Sequence, residues 1–372
     1  MAATSPHELA SPSEARLASR EVARIFFPHL LALYFPLNAT LFLLTGPHRG
    51  WLALLFVVPL VVAHALDTNG RVERRQPDAA LPAWPFDALV YVLAALQLLN
   101  IALLGRMYAV QSFFSMDLVM ALLVVGSSSG FSIITAHELI HRRGRFDRLL
   151  GRVLLATVLY EHFYTEHVRG HHARVGTPED PATARFGESF HAFYRRTVPA
   201  QFRSAWRLET KRLGDPDMKL FDRRILKSRV LHGLGAEWAL ALAMLGLAGP
   251  VAFVAFLLQA FSATRLLEVV NYFEHYGLTR PARRRVQPTD SWDTHAWFTY
   301  YALVGLSRHA DHHAYAARPY QQLRVWEEPP ILPAGYVGTI FMVLARNRRF
   351  RALAEQELRR RGLGPFATEA KA

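Results

Sequence analysis

Six stretches of this chain are apolar for close to the roughly 20 residues that a helix needs to cross a bilayer core. They run Ile25–Thr45, Trp51–Leu66, Pro85–Leu104, Phe113–Thr135, Leu231–Gly249 and Pro250–Val270. A soluble body would have to bury all six against one another, whereas a membrane takes them side by side. Pro36, Asn38 and Pro59 interrupt the first two, which helices inside a membrane tolerate. The expected fold is therefore all-α: a polytopic membrane protein with about six transmembrane helices. The chain is 51% hydrophobic and yet carries a formal charge of +13, a combination that requires apolar helices and basic loops to be segregated.

Arginine placement predicts orientation. Arg71, Arg74 and Arg75 follow the second segment, and Arg142, Arg143, Arg145 and Arg148 follow the fourth; the links after the first and third hold only Arg49 and Arg106. The excess of positive charge on cytoplasmic loops then puts both termini and everything from His137 to Val230 in the cytoplasm. The expected organisation is a polar N-terminal segment over 1–24 and helices one to four over 25–136. A cytoplasmic histidine-rich insert over 137–230, helices five and six over 231–270 and a cytoplasmic C-terminal region over 271–372 follow. The opening polar stretch lacks the charged-then-apolar pattern of a cleaved secretory signal. No nucleic-acid motif accompanies the basic charge, so anionic lipid headgroups are its expected partner rather than DNA or RNA.

The chain has 17 histidines and no cysteine. Thiolate zinc sites, iron–sulfur clusters and disulfides are thereby excluded, and a redox metal must be held by imidazole or carboxylate. Most histidines fall in four short clusters. His137 and His141 are four residues apart, on one helix face. In Glu166–His172, His167 and His171 are expected to share a face, with His172 turned about 100° away toward a second metal. His275 follows the sixth segment. His309, His312 and His313 are expected on one face of a further helix. Nine imidazoles are too many for one ion and suit two of four or five ligands.

Glu138, Glu166, Glu274 and Asp311 each adjoin a cluster histidine. They are expected to accept ring N–H bonds from histidines of other clusters, since carboxylates commonly orient ligating rings. His162, five residues before His167, is expected either close behind the ligands or as a further ligand. His7, His29, His48, His64, His191, His232 and His295 stand alone and read as surface or interfacial residues. Imidazole suits zinc, copper, iron and nickel alike. The His137-Glu138-Leu139-Ile140-His141 pattern matches a zinc protease, but such a site needs one further ligand and leaves six histidines unexplained. A histidine-rich transporter would carry its ligands near the bilayer midplane along a path, not crowded at helix ends.

At these residues the sequence resembles the membrane alkane monooxygenases, the non-haem di-iron hydroxylase family that includes xylene monooxygenase. The resemblance is carried by His137–Arg142, Glu166–His172, Thr177–Ser189, Asn271–Leu278 and Arg308–Ala314, with Arg318-Pro319-Tyr320 and Leu332–Tyr336. Ile140, Arg142 and Leu306-Ser307 depart from the family's usual residues; none is a candidate ligand. The resemblance implies two irons held by His137, His141, His167, His171, His172, His275, His309, His312 and His313 under a bacterial inner membrane. It implies O2-dependent hydroxylation of a terminal or benzylic carbon, most readily a medium-chain alkane to its primary alcohol. Related desaturases share the scaffold, but usually have two residues between the histidines of the second motif; here three separate His167 from His171. Electrons are expected from a separate rubredoxin- or ferredoxin-type carrier with its reductase, because a chain without cysteine has no such module. Arg195, Arg196, Arg203 and Arg207 are candidates to steer an acidic carrier.

Overall fold

The computed structural model describes residues 20–77, 81–219 and 221–367. Five helical runs are long and apolar enough to cross a membrane: α1 (Arg20–Thr45), α2 (Gly50–Asp67), α3 (Trp84–Tyr108), α4 (Met116–His141) and, later in the chain, α8 (Arg229–Glu274). Between α4 and α8 come α5 (Arg145–Ala156), α6 (residues 163–174) and α7 (Phe190–Arg212). After α8 follow α9 (Trp297–Ala302), α10 (His309–Ala314) and α11 (Tyr336–Arg361). Among the described residues extended pairing amounts to isolated bridges, Val72 with Ala296 and Asp293 with Ile331.

The fifth and sixth apolar segments lie within the single 46-residue run α8. An unbroken helix of that length would extend roughly 70 Å, more than twice the hydrocarbon core of a bilayer. The run is broken at Gly249, whose φ of 86° and ψ of 178° leave helical geometry, immediately before Pro250. Glycine reaches that conformation without a Cβ penalty, and proline removes the N–H that would continue the ladder. Two spans of ordinary length result, divided where the fifth and sixth expected segments meet.

Outward-facing side chains along these helices are apolar. Leu41, Trp51, Leu55, Val61, Val92, Leu99, Trp238, Leu242, Leu247 and Phe261 are all exposed, as a surface solvated by acyl chains requires. Inward, polar groups bond helix to helix. Asn38 Nδ2 donates to Phe56 O at 3.0 Å, joining α1 to α2, and Asn100 Nδ2 donates to Pro36 O at 3.1 Å, joining α3 to α1. Small residues let α4 and α8 approach closely: a Cβ on Gly130 would come 2.9 Å from Leu266 Cδ1.

Beyond the apolar runs the chain folds back beneath the ends of α4 and α8. Trp292, Tyr272, Tyr276, Tyr336 and Phe350, all fully buried, pack α8 against α11 and the segment before α9. The link between α2 and α3 is fastened there by Glu73, which accepts from Arg75 at 2.8 Å and from the Tyr301 hydroxyl at 2.7 Å. Burial alone would raise the Glu73 carboxyl; its bonds to Arg75 and Tyr301 prevail and hold it at about 2.

Candidate metal centre

The last turn of α4, the whole of α6, the residue just past the end of α8 and the short helix α10 bring nine imidazoles into one buried space. Five of them, from His137, His141, His167, His172 and His312, each offer a ring nitrogen, and those atoms all lie within 4.8 Å of one another. His171, His275 and His313 form a second such group, and Glu274, His275 and His309 a third that shares His275 with it. Five rings therefore form one group, and the other four divide between two smaller groups joined through His275.

The helix α6 explains how the rings divide. Residues His167–His171 form a π turn, in which the hydrogen-bond step widens from i+4 to i+5. The expectation that His167 pairs with His171 is thus replaced. His167 Nε2 meets His172 Nε2 at 3.0 Å, while His171 turns to the other group, its ring centroid 4.7 Å from that of His275. In α10 the expected common face also divides: His312 Nε2 lies 3.2 Å from His172 Nε2, and His313 joins His171 and His275. Adjacent residues on a helix point about 100° apart, which lets one short helix serve both groups.

The donor set fits cations. A neutral imidazole has one N–H and one lone pair, and His172 Nε2 faces two other Nε2 atoms, those of His167 and His312. One ring hydrogen cannot satisfy that triad, whereas lone pairs directed at a shared ion would. The Nε2 atoms of His137, His141, His171 and His313 are likewise buried without a hydrogen-bond partner among the described residues. Burial, reinforced by neighbouring rings, pushes His167, His172, His309, His312 and His313 well below the ordinary imidazole value. His275 is lowered in the same way. The rings are thus held in the neutral form that metal binding requires.

Four carboxylates adjoining the clusters were expected to serve histidines, and the structure places them unevenly. Glu274 Oε2 lies 3.3 Å from His309 Nε2, its other oxygen accepting from the Tyr336 hydroxyl at 2.6 Å. Glu138 instead meets Arg142, which reaches Asp87 at 2.8 Å. Glu166 accepts from Arg174 at 2.7 Å. Asp311 accepts from Arg318 at 2.5 Å, from Trp326 Nε1 at 2.8 Å and from the Arg324 N–H at 3.0 Å. These three brace the elements that carry the rings. His162 stays outside both groups, packed on Tyr160 and Phe202, with burial lowering it to about 4.

Sequence reasoning missed Asp180. Its Oδ2 lies 2.9 Å from His171 Nδ1 and accepts from the Thr183 hydroxyl at 2.6 Å, an arrangement that fixes the ring's tautomer and direction. It also missed Asp293, whose Oδ1 accepts the Ala310 N–H at 2.7 Å and anchors α10. Among the isolated histidines, His191 and His232 are exposed as expected. His29 and His295 are buried, correcting that expectation. His29 is enclosed by the rings of Phe86, Tyr300, Tyr301 and Tyr320 at 4.8–5.5 Å. His48 and His64 are half-buried, and His7 lies outside the described residues.

Against the histidines, between α4, α8 and α11, lies a cavity. Its wall is apolar, with Phe131, Ile133, Ile134, Leu266, Leu303, Leu306 and Ile340, and His137, His167, His309 and Glu274 border it.

An all-helical body with apolar outer faces, and with buried imidazoles grouped beside an apolar cavity, defines a membrane protein built to hold metal. The chain belongs to the fatty acid desaturase family, which matches residues 115–340 and hence all four histidine clusters, and within it to the membrane alkane 1-monooxygenases. It is 42% identical to alkane 1-monooxygenase 1 of Pseudomonas aeruginosa over 224 residues, 57% of this chain and 56% of that protein. It is 32% identical to alkane 1-monooxygenase 1 of Alcanivorax borkumensis over 302 residues, 78% of this chain and 74% of that protein. With the xylene/toluene monooxygenase hydroxylase component of Pseudomonas putida the identity is 23% over 202 residues, 54% of each. The chain spans little more than half the length of the Pseudomonas aeruginosa relative.

Proposed function

We propose that this protein is a di-iron membrane hydroxylase that inserts one oxygen atom of O2 into a terminal or benzylic C–H bond of a hydrophobic substrate. A medium-chain alkane converted to its primary alcohol is the substrate class favoured. The observation that carries the reading is the meeting of nine imidazoles in neighbouring groups at the wall of an apolar cavity. His137, His141, His167, His172 and His312 would hold one iron, and His171, His275, His309 and His313 the other. Two irons there would supply the redox chemistry that activates O2, with the two electrons consumed in each turnover delivered from outside the chain. The protein's own part is to hold the rings neutral, to orient His171 through Asp180, and to keep a dry cavity in which an alkyl chain meets the histidines. The balance is RH + O2 + 2e⁻ + 2H⁺ → ROH + H2O.

Electrons are supplied by a separate small carrier of rubredoxin or ferredoxin type. Supporting this, Arg195, Arg203 and Arg207 are exposed along one face of α7 at spacings of four and eight residues, a stripe suited to an acidic partner. The setting proposed is a bacterial inner membrane, with residues 1–24, 137–230 and 271–372 cytoplasmic. Metal analysis of the purified protein together with oxygen-18 labelling tests the reading: about two irons per chain, and label from O2 in an alcohol. An alkene without label would instead make the protein a desaturase on the same scaffold, the other chemistry that the family name covers.

A further inference from the structure

Just before the last histidine cluster the chain makes a turn that one of its side chains disfavours. Val304 has a φ of 49° and Gly305 a φ of 68°. Two successive residues therefore stand in the left-handed region, and for a β-branched valine that conformation persists only where its surroundings impose it. Backbone bonds impose it here. Leu303 N donates to Thr299 O at 3.0 Å, Gly305 N to Tyr300 O at 2.9 Å and Leu306 N to Leu303 O at 3.0 Å. A Cβ on Gly305 would come 3.0 Å from Tyr320 O, so the turn is pressed against neighbouring backbone.

Leu303 and Leu306 extend from this turn into the wall of the cavity beside the histidines. Behind that wall is a second, smaller cavity that borders Ala32, Pro36, Leu93 and Gln97 and touches no histidine. Phe131, Ile134 and Leu303 border both cavities. Of these three partition residues, Leu303 is the one the strained turn holds, six residues ahead of His309.

We propose that Leu303, fixed by the left-handed turn at Val304–Gly305, is the stop that sets how far an alkyl chain enters the cavity, and hence which of its carbons stands at the histidines. The inference rests on the hydroxylase reading. No hydrogen bond can register an alkyl chain, so its depth is set where it meets a wall. An apolar pocket discriminates one methylene by about 10- to 200-fold, and a stop on a mobile loop would forfeit that discrimination. The backbone bonds around Val304 keep it in place.

Leu303→Ala joins the two cavities. With octane as substrate it is expected to raise the share of alcohol at positions 2 and 3 about tenfold over wild type. On metal-free protein, the rise in melting temperature produced by hexadecane relative to octane is expected to grow, since the longer chain gains room. Gly305→Ala, which crowds Tyr320 and displaces the turn without removing a lining side chain, is expected to move both readouts the same way. Leu93→Ala enlarges the second cavity alone and is expected to leave both at wild-type values. Leu303→Val replaces the alanine variant should that fail to accumulate, with a smaller change in the same direction. Wild-type regiochemistry and melting response in both Leu303 variants, no effect of Gly305→Ala, or an equal effect of Leu93→Ala would overturn the proposal. Failure of the hydroxylase reading looks different: wild type yields no alcohol, while the melting measurements still report chain depth.

Discussion

Asp180 receives the Nδ1 side of His171 and so aims that ring's unpartnered Nε2 at its group. Removing such a carboxylate from behind a ligating ring typically costs 10- to 100-fold in metal affinity. Asp180→Ala is accordingly expected to weaken iron binding by about that factor in a competition titration, with membrane insertion unchanged. Glu73 reports on acid stability. Its carboxyl sits at about 2 against an ordinary 4.5, so its stabilising contribution is complete above about pH 4.5 and is lost as pH falls toward 2. Glu73→Gln is expected to flatten the fall in melting temperature across that window, which scanning calorimetry would measure. At this scale the imidazoles were legible, because spacing and clustering single them out. Of the four adjoining carboxylates, Glu274 meets a histidine of another cluster as expected, and the other three do not. Glu138, Glu166 and Asp311 adjoin histidines in sequence but point elsewhere, since neighbours on a helix diverge; Asp180 sits in an aperiodic loop where nothing distinguishes one acid from another.

The π turn of α6 decides which rings act together, and no i, i+4 rule foresees it. Within it Gly170 leaves room for the pair behind the rings: a Cβ there would come 2.6 Å from Glu166 Oε2 and press on the Arg174 guanidinium. Gly170→Ala is therefore expected to cost about 1–3 kcal/mol of stability. Because His167 and His172 flank the glycine, it should also lower iron content, measurable by elemental analysis of the folded fraction. The apolar helices were legible nearly to their ends, since hydropathy alone marks a span. The break between the fifth and the sixth at Gly249-Pro250 was legible as well, because glycine followed by proline interrupts a helix. The turn at Val304–Gly305 was invisible: valine is among the last residues that pattern would place in a left-handed conformation.

Across the whole molecule, basic side chains are divided between internal ties and free surface. Arg196 is committed to Glu188 at 2.8 Å and Arg174 to Glu166 at 2.7 Å, whereas Arg195, Arg203 and Arg207 remain exposed. Replacing those three with glutamine is expected to raise KM for an acidic electron carrier about tenfold at low salt and leave kcat at saturation unchanged, with the difference vanishing as salt rises. Steady-state kinetics across an ionic-strength series would measure this. The division between tied and free arginines could not be read from composition, which counts charges without their partners.

Each group of rings draws on distant parts of the chain: one joins residues 137–172 to His312, the other His171 to His275, His309 and His313. No fragment released early from the ribosome can offer a finished coordination sphere. Synthesis must pass His313 before either group of rings can close. Closure of the centre is thereby placed late in biogenesis, and a chain stalled upstream would be left without the means to hold metal.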